Sequence, residues 1–265
     1  MVRRGRVLVI AGSDSGGGAG IQADIKTVTA LGGYAATAVT AITVQNTLGV
    51  SGVHPVPADV IEGQGRVVLD DIGADAIKTG MLGDVATIET VVRLIDHAGD
   101  IPVIVDPVMI AKGGAALLPS SAIGAVVSSL LPRAALLTPN APEAAELTGK
   151  VTNTTDDLRR AGGRLLELGA RAVLMKGGHI AGERVVDVLM TPKGETVFEG
   201  ERILTPSTHG TGCTLASACA TGLAHGLALE EAVGRAIRYV REAIARAPGF
   251  GRGHGPLDHA WPVRR

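Results

Sequence analysis

Short apolar runs alternate along this chain with longer segments of helical periodicity, and this alternation restricts the fold more than any other feature. The predicted strands are 7–11, 34–42, 75–81, 102–106, 134–138 and 171–176. Most of them are apolar on both faces, and continuous apolar strands separated by helices form a parallel sheet that is covered on both sides. The sequence therefore predicts an α/β fold with a mostly parallel central sheet.

Helical periodicity fills the intervals between these strands, with one exception. The predicted helices are 20–31, 58–71, 85–98, 120–131, 141–147, 155–168, 213–225 and 230–246. The exception is a pair of β-forming runs, 184–190 and 195–198, joined by a turn containing Pro192 and Gly194, which predicts a small antiparallel hairpin at one sheet edge. With 265 residues, 46% of them hydrophobic, the chain can bury one substantial core. We expect a single domain over residues 1–265.

Composition narrows the possible partners. The formal net charge is -1, and one Trp, two Tyr and two Phe leave neither a basic surface nor stacking platforms for nucleic acid. Only Cys213 and Cys219 are present, so a disulfide framework is not expected and a reducing compartment is favoured. No run approaches the ~20 apolar residues that cross a membrane. The sequence predicts a cytoplasmic protein with neither nucleic acid nor membrane as a partner.

The segment Ser207-Thr208-His209-Gly210-Thr211-Gly212-Cys213-Thr214 leads directly into a predicted helix of small residues. Glycines before a helix let the backbone approach a ligand, and the first N–H groups together with the helix dipole favour negative charge. We expect a lowered pKa for a thiol at this position, so Cys213 could act as a base. This pattern favours phosphoryl transfer; the structural alternative is a tight connection in which Cys213 is a small buried residue, as we prefer for Cys219.

A glycine loop, 12–20, follows the first predicted strand, at the end of the sheet where α/β proteins bind ligands. It does not complete a dinucleotide fingerprint, because residues 39–51 lack the acidic residue that would hold a ribose. It does not complete a Walker A loop either, because Ile25 stands where a glycine is needed. What remains is a flexible loop beside Asp24, suited to closing over a small polar ligand, or a glycine-rich connection without one.

Further polar groups follow other predicted strands. Gln45, in the polar cluster 43–47, could read donors and acceptors on a heterocycle edge, and Met81 could supply an adaptable apolar wall. Asp106 could bind a metal or cap a turn. Taken singly, the polar cluster and Met81 are better explained by ordinary loop or core chemistry.

Asn140 and Glu143 stand three residues apart at a predicted helix start. A capping box explains this spacing, and a role in holding a hydrated Mg²⁺ explains it equally well. Lys176 ends a predicted strand just before two glycines, where it could pair with phosphate oxygens or remain a solvated lysine.

The order of these motifs resembles the ribokinase-like superfamily. Within it, the segments 11–24, 45–47, 106–109 and 208–214 are similar to those of hydroxymethylpyrimidine/phosphomethylpyrimidine kinases of thiamine biosynthesis, in the vitamin-kinase branch. The resemblance runs from about Arg6 to Trp261. It implies a three-layer fold and ATP-dependent phosphorylation of a hydroxymethylpyrimidine, first to the monophosphate and then to the diphosphate. It also implies a homodimer.

The resemblance assigns roles to individual residues. Those implied to contact the pyrimidine are Gly12, Asp24, Gln45, Met81 and Val108. Those implied to bind ATP are Asp106, Asn140, Glu143, Lys176 and Thr208. The implied catalytic residues are Gly210, Thr211, Gly212, Cys213 and Lys176. Mg²⁺ would be organised by Asn140 and Glu143, through water.

Two alternatives stay open. Because the branch includes kinases of vitamin B6, the substrate could be pyridoxal or pyridoxine, or the enzyme could have dual specificity; Gln45 and the intact glycine loop favour the pyrimidine. A more distant alternative is a dinucleotide-dependent oxidoreductase or a non-catalytic ligand-binding relative. The missing ribose-binding acid argues against the former, and the joint presence of Asn140, Glu143, Lys176 and Cys213 argues against the latter.

Overall fold

Within residues 5–110, 114 and 117–264, which the computed structural model describes, nine strands form one mixed sheet. The strands are Arg6–Asp14 (β1), Tyr34–Asn46 (β2), Gly49–Pro55 (β3), Ala76–Thr79 (β4), Val103–Val105 (β5), Leu136–Leu137 (β6), Val173–Met175 (β7), Arg184–Thr191 (β8) and Gly194–Glu201 (β9). Their order is β3-β2-β1-β4-β5-β6-β7-β8-β9. The predicted domain 1–265 includes residues 1–4, 111–113, 115–116 and 265, which lie outside the described part.

Helices connect the parallel strands. They are Gly20–Ala30 (α1), Ala58–Asp71 (α2), Val85–Ala98 (α3), Ser120–Ala125 (α4), Ala141–Thr148 (α5), Thr155–Glu167 (α6), Thr211–Ala224 (α7) and Leu229–Ala245 (α8). Among the described residues, no helix is long and apolar enough to span a bilayer.

Side chains of β1 alternate between two buried clusters, because successive residues of a strand point to opposite faces. Leu8 and Ile10 join a cluster with α3 and α6, whereas Val7 and Val9 join one with α7 and α8. Helices therefore cover both faces of the sheet. The predicted three-layer α/β fold is confirmed.

Six neighbouring strands of the sheet run parallel: β2, β1, β4, β5, β6 and β7. The predicted edge hairpin is confirmed as β8 and β9, which pair antiparallel next to β7. A second antiparallel hairpin at the opposite edge was not predicted. There, β2 continues through the polar cluster 43–47 as far as Asn46 and pairs with β3, which satisfies the backbone of a segment that projects beyond the buried core.

The helix predicted over 120–131 also differs from the structure. It is α-helical only over Ser120–Ala125, continues as a π-helical turn, Val126–Leu130, and ends in a 3₁₀ turn, Leu131–Arg133. Pro132 lies in that last turn, and its missing N–H prevents the α-helical ladder from continuing.

Candidate active site

A cavity of about 470 Å³ lies at the carboxyl ends of the parallel strands, where an α/β sheet is expected to bind ligands. It brings together most of the predicted site residues: Gly12, Gln45, Met81, Asp106, Val108, Asn140, Glu143, Lys176, Thr208, Gly210, Thr211, Gly212 and Cys213. A second cavity, of about 260 Å³, adjoins it. The two share a wall that includes Lys176, Thr208, Thr211 and Gly212.

Helix α7 begins at this shared wall. Its N-cap is Gly210, which adopts a left-handed φ of 82° and provides no side-chain cap. A Cβ at Gly210 would overlap the backbone oxygen of Gly18, so only glycine allows the glycine loop to lie against the helix start. Because the first N–H groups of a helix have no partners within it, the start of α7 offers donors to an anion in the cavity.

Lys176 lies beside these donors, on the cavity wall. Its Nζ is 3.1 Å from Oδ1 of Asp106 and 3.8 Å from Oε2 of Glu143. Burial lowers the pKa of Lys176, but the two carboxylates outweigh it and raise the pKa above its usual value. The side chain is therefore an ammonium held at a fixed place, rather than the solvated lysine of the alternative interpretation.

Asn140 and Glu143 form the capping box that their spacing allowed. Oδ1 of Asn140 accepts the Glu143 N–H at 2.9 Å, and Oε2 of Glu143 accepts the Asn140 N–H at 2.8 Å. Both residues also line the cavity. Burial, which the charge of Lys176 opposes, raises the pKa of Glu143 to about 7. The cap thus fixes the two side chains on the wall where a ligand would lie.

The donor set fits Mg²⁺ only as an ion that keeps most of its water. No cluster of three or more His, Cys, Asp or Glu suited to a metal is present among the described residues. Asp106, Asn140 and Glu143, which carry carboxylate or amide oxygens, line the cavity, and Mg²⁺ typically binds through one or two carboxylates, waters and substrate phosphates.

Cys213 is half-buried in the cavity wall. Burial raises the pKa of its thiol to about 12, although the ammonium of Lys78 opposes the shift. The expected lowering of this pKa is therefore wrong, because burial outweighs the influences that favour the thiolate. Cys219, six residues further along α7, is fully buried among core residues, as its structural interpretation predicted.

Asp24 is not among the residues that line the cavity, and its implied contact with the ring stays a prediction. The residue is fully buried on the inner face of α1. Its carboxylate lies 2.9 Å from Nζ of Lys78 and accepts the Ser217 hydroxyl at 2.7 Å. Burial lowers the pKa of Lys78, but Asp24 outweighs this effect and keeps the lysine charged. Asp24 thus anchors α1 to β4 and α7, below the site.

The remaining pyrimidine-side residues do meet at the cavity. A Cβ at Gly12 would lie 3.1 Å from Sδ of Met81, so glycine leaves room for Met81 beside β1. Gln45 is fixed by two neighbours: its backbone N–H donates to Oγ of Ser15 at 2.9 Å, and its side-chain Oε1 lies 3.1 Å from Oγ1 of Thr43. The amide is therefore held at the cavity rather than free in solvent.

Sequence reasoning missed several residues at these cavities. Asp14 lies in the glycine loop and His209 in the segment before α7, but neither motif gives its residue a role. Asp187 and Arg202 line the second cavity; Asp187, on β8, also accepts the Gly177 N–H at 2.8 Å. A charged residue interrupting the apolar run of β8 is the one signal that could have pointed to Asp187.

Comparison with known proteins identifies close relatives. The family model for phosphomethylpyrimidine kinase matches residues 14–258. The chain is 50% identical over 256 residues to the thiamine biosynthesis bifunctional protein ThiED of Geobacter sulfurreducens, covering 97% of this chain but 52% of that protein. It is 49% identical to a hydroxymethylpyrimidine/phosphomethylpyrimidine kinase of Streptomyces coelicolor, over 97% of this chain and 95% of the relative. Among solved structures, an ADP complex of Bacillus subtilis pyridoxal kinase superposes with a TM-score of 0.92 at 38% identity, over 99% of this chain and 100% of that one.

Proposed function

The chain belongs to the phosphomethylpyrimidine kinase family, and we propose that it transfers the γ-phosphoryl group of ATP to 4-amino-5-hydroxymethyl-2-methylpyrimidine. A second transfer, onto the monophosphate just formed, gives the diphosphate used in thiamine biosynthesis. The relatives with which it shares 43–50% identity include several named for both steps. ATP is the phosphoryl donor, and the acceptor is a small molecule.

One observation carries this proposal: the uncapped start of α7 lies in the wall between two adjoining cavities. The larger cavity has the size and the amide of Gln45 for a small heterocycle, and the smaller one continues from Lys176 toward Phe198 and Ile244. A nucleotide in the smaller cavity and an acceptor in the larger one would meet at Gly212. Backbone N–H groups placed at that junction suit charge that develops during transfer.

In the proposed reaction, the acceptor's hydroxymethyl oxygen attacks the γ-phosphorus in line, and the bond from that phosphorus to the β–γ bridging oxygen of ADP breaks. The N–H groups at Gly212 and Cys213 hold the equatorial oxygens, and the ammonium of Lys176 pairs with the phosphates. Mg²⁺, organised by Asn140 and Glu143 through water, would neutralise phosphate charge. In phosphoryl transfer, positioning and charge stabilisation contribute most of the rate.

Cys213 is the proposed acceptor of the hydroxyl proton. Because its pKa is about 12, the thiolate is a minor species near neutral pH, and the basic form grows as pH rises. The anion-binding backbone of α7 therefore contributes more at neutral pH than the thiolate does. This order of importance makes the two contributions separable by pH.

A vitamin B6 substrate is the second candidate, and the structural similarity to pyridoxal kinase supports it. Two observations favour the pyrimidine. Identity to proteins named as pyrimidine kinases reaches 49% across nearly the whole chain, against 38% for that pyridoxal kinase. In addition, the side-chain amide of Gln45 offers one donor group and one acceptor, which match a ring nitrogen and its adjacent amino group.

The test is ATP turnover by the purified protein with three acceptors offered separately: hydroxymethylpyrimidine, its monophosphate and pyridoxal, with products identified by mass. We expect mono- and diphosphate from the first two. Gln45→Leu serves as a matched variant, since it removes the amide while keeping the bulk; it should lower kcat/KM for the pyrimidine far more than basal hydrolysis of ATP. Turnover of pyridoxal alone would assign the protein to vitamin B6 salvage.

Three broader properties complete the proposal. The chain functions as one domain, acts in the cytoplasm and forms a homodimer. Family resemblance supports the dimer. Cys213 and Cys219 are both free thiols, which supports a reducing compartment. Sedimentation at micromolar concentration tests the dimer directly.

A further inference from the structure

One carboxylate organises the glycine loop between β1 and α1. Oδ1 of Asp14 accepts the Gly16 N–H at 2.8 Å, and its Oδ2 accepts the N–H groups of Gly18 at 3.1 Å and Ala19 at 2.8 Å. Asp14 is buried. Burial raises the pKa of its carboxyl, but hydrogen bonds from His209 and the loop outweigh this and lower it. The charged form thus holds the loop in one shape.

The same carboxylate reaches across to the loop that precedes α7. Nε2 of His209 lies 2.7 Å from Oδ2 of Asp14, and both side chains are buried. The backbone of His209 is also held, because its N–H donates to the Gly255 oxygen at 3.1 Å. His209 therefore joins two segments 195 residues apart in sequence.

The glycine loop and the segment before α7 are also in direct contact, and they pack too closely to admit an added Cβ at either Gly18 or Gly210. A Cβ at Gly18 would overlap Cδ2 of His209, and a Cβ at Gly210 would overlap the oxygen of Gly18. The glycine loop walls the larger cavity, and Gly210 begins the helix whose N–H groups face both cavities. A shift of the Asp14–His209 contact would move the acceptor's wall relative to the anion-binding backbone.

We propose that His209 and Asp14 are positioning residues, which fix the distance between the glycine loop that covers the acceptor and the α7 start that receives the transferred phosphoryl group. This inference rests on the proposed kinase activity. Neither residue lines the smaller cavity within the described part of the chain, so the contact sets acceptor alignment and not nucleotide affinity.

The test compares His209→Leu, which removes the donor, with His209→Gln, whose side-chain amide can place an N–H near the position of Nε2. His54→Gln, on the exposed strand β3, controls for substitution as such. Because a misplacement of about 1 Å costs about 100-fold, we expect kcat of His209→Leu to fall about 100-fold while the Kd of a non-hydrolysable ATP analogue changes less than about threefold. His209→Gln should recover at least about tenfold of the loss.

Asp14→Asn provides an independent second variant, since it replaces an acceptor with a donor that faces N–H groups; we expect the same selective loss of kcat. Amide hydrogen exchange at Gly16, Gly18 and Ala19 supplies a readout that needs no turnover, and it should accelerate in His209→Leu and not in His54→Gln. Wild-type kcat in both His209→Leu and Asp14→Asn, or unchanged exchange, would overturn the inference. The inference would also be overturned if kcat fell only in proportion to nucleotide binding and fell equally in His209→Leu and His209→Gln. A wild-type protein that turns over no acceptor would instead refute the proposed function, and the exchange measurement would still decide the positioning role.

Discussion

Gly212→Ala should lower activity without lowering stability, because the added methyl group would contact residues of the active site and none of the hydrophobic core. Its Cβ would lie 3.2 Å from Nζ of Lys176 and 3.5 Å from Oδ2 of Asp106. The contact with Asp106 is an ordinary one, but the contact with Lys176 is tighter than usual, so Nζ of Lys176 must shift away from the cavity junction. The methyl group also occupies space between the two cavities, where the transferred phosphoryl group would lie.

Stability should not suffer. Gly212 lies in the first turn of α7 with an ordinary helical backbone, and alanine there reduces the conformational freedom of the unfolded chain. The expected gain is about 0.5 kcal/mol in the free energy of unfolding, which corresponds to a rise of roughly 1–2 °C in Tm for a chain of this size. Turnover should fall about 100-fold, because a methyl group at the junction displaces the transferred phosphoryl group, and a misplacement of about 1 Å costs that much.

Two other glycines provide controls. A Cβ at Gly163, in α6, would meet nothing within 4 Å, so Gly163→Ala should raise stability by a similar amount and leave kcat unchanged. Gly210→Ala should reduce both stability and activity, because its left-handed backbone costs about 1–2 kcal/mol for alanine and its Cβ would overlap Gly18. The assays are thermal unfolding and steady-state ATP turnover. If Gly212→Ala keeps wild-type kcat, the anion-binding role of the α7 start is refuted.

Three further predictions follow from the charges around the site. Cys213→Ala should lower kcat about 100-fold with little change in the Kd of ATP. Since the wild-type thiol has a pKa of about 12, wild-type kcat, when limited by chemistry, should also rise between pH 7 and 9, whereas the variant's should not; a flat wild-type profile excludes the thiolate as base. Glu143 has a pKa raised to about 7, so it gains a proton and loses its charge as pH falls from 8 to 6. The KM of MgATP should therefore rise over that range in the wild type. In Glu143→Gln, which has no charge at any pH, the KM should be high throughout and should not change with pH. Lys78→Met leaves the Asp24 carboxylate buried and unpaired and should cost about 3–5 kcal/mol in chemical unfolding, most of which Lys78→Met/Asp24→Leu should restore; a loss below about 1 kcal/mol for the single variant would contradict the buried pair.

The sheet could be predicted from the sequence because its parallel strands are apolar on both faces and recur between helical segments. Strand β3 could not be predicted, since its sequence, Gly-Val-Ser-Gly-Val-His-Pro, contains two glycines and most of its side chains are exposed. It forms because β2 extends past the core and offers its edge. Long-range pairing, rather than any periodicity of residues 49–55, determines that strand.

For the candidate site, the sequence indicates the order of motifs but not which side chains turn inward. Asp24 is placed one turn into α1, close in sequence to the glycine loop, and only the packing of α1 on β4 shows that its carboxylate faces the core. The predicted lowering of the Cys213 pKa fails for the same reason, because the thiol is buried by neighbouring elements that the motif does not contain. His209 could not be linked to Asp14 by spacing, because 195 residues separate them.

In the proposed reaction, pairing of the buried charges leaves the backbone of α7 as the main anion binder that we expect. The ammonium of Lys78 is 2.9 Å from Asp24, and that of Lys176 is 3.1 Å from Asp106, so each cation carries a carboxylate partner, and the attraction of Lys176 for a phosphate is reduced by Asp106. The N–H groups at the start of α7 have no such partner, because Gly210 brings no capping side chain. Their partial positive charge, about half an elementary charge at a helix N-terminus, is directed at the cavity, with the Asp106 carboxylate near Gly212 already paired with Lys176. It follows that a change in the geometry of this turn should reduce turnover more than a conservative exchange of either lysine's partner.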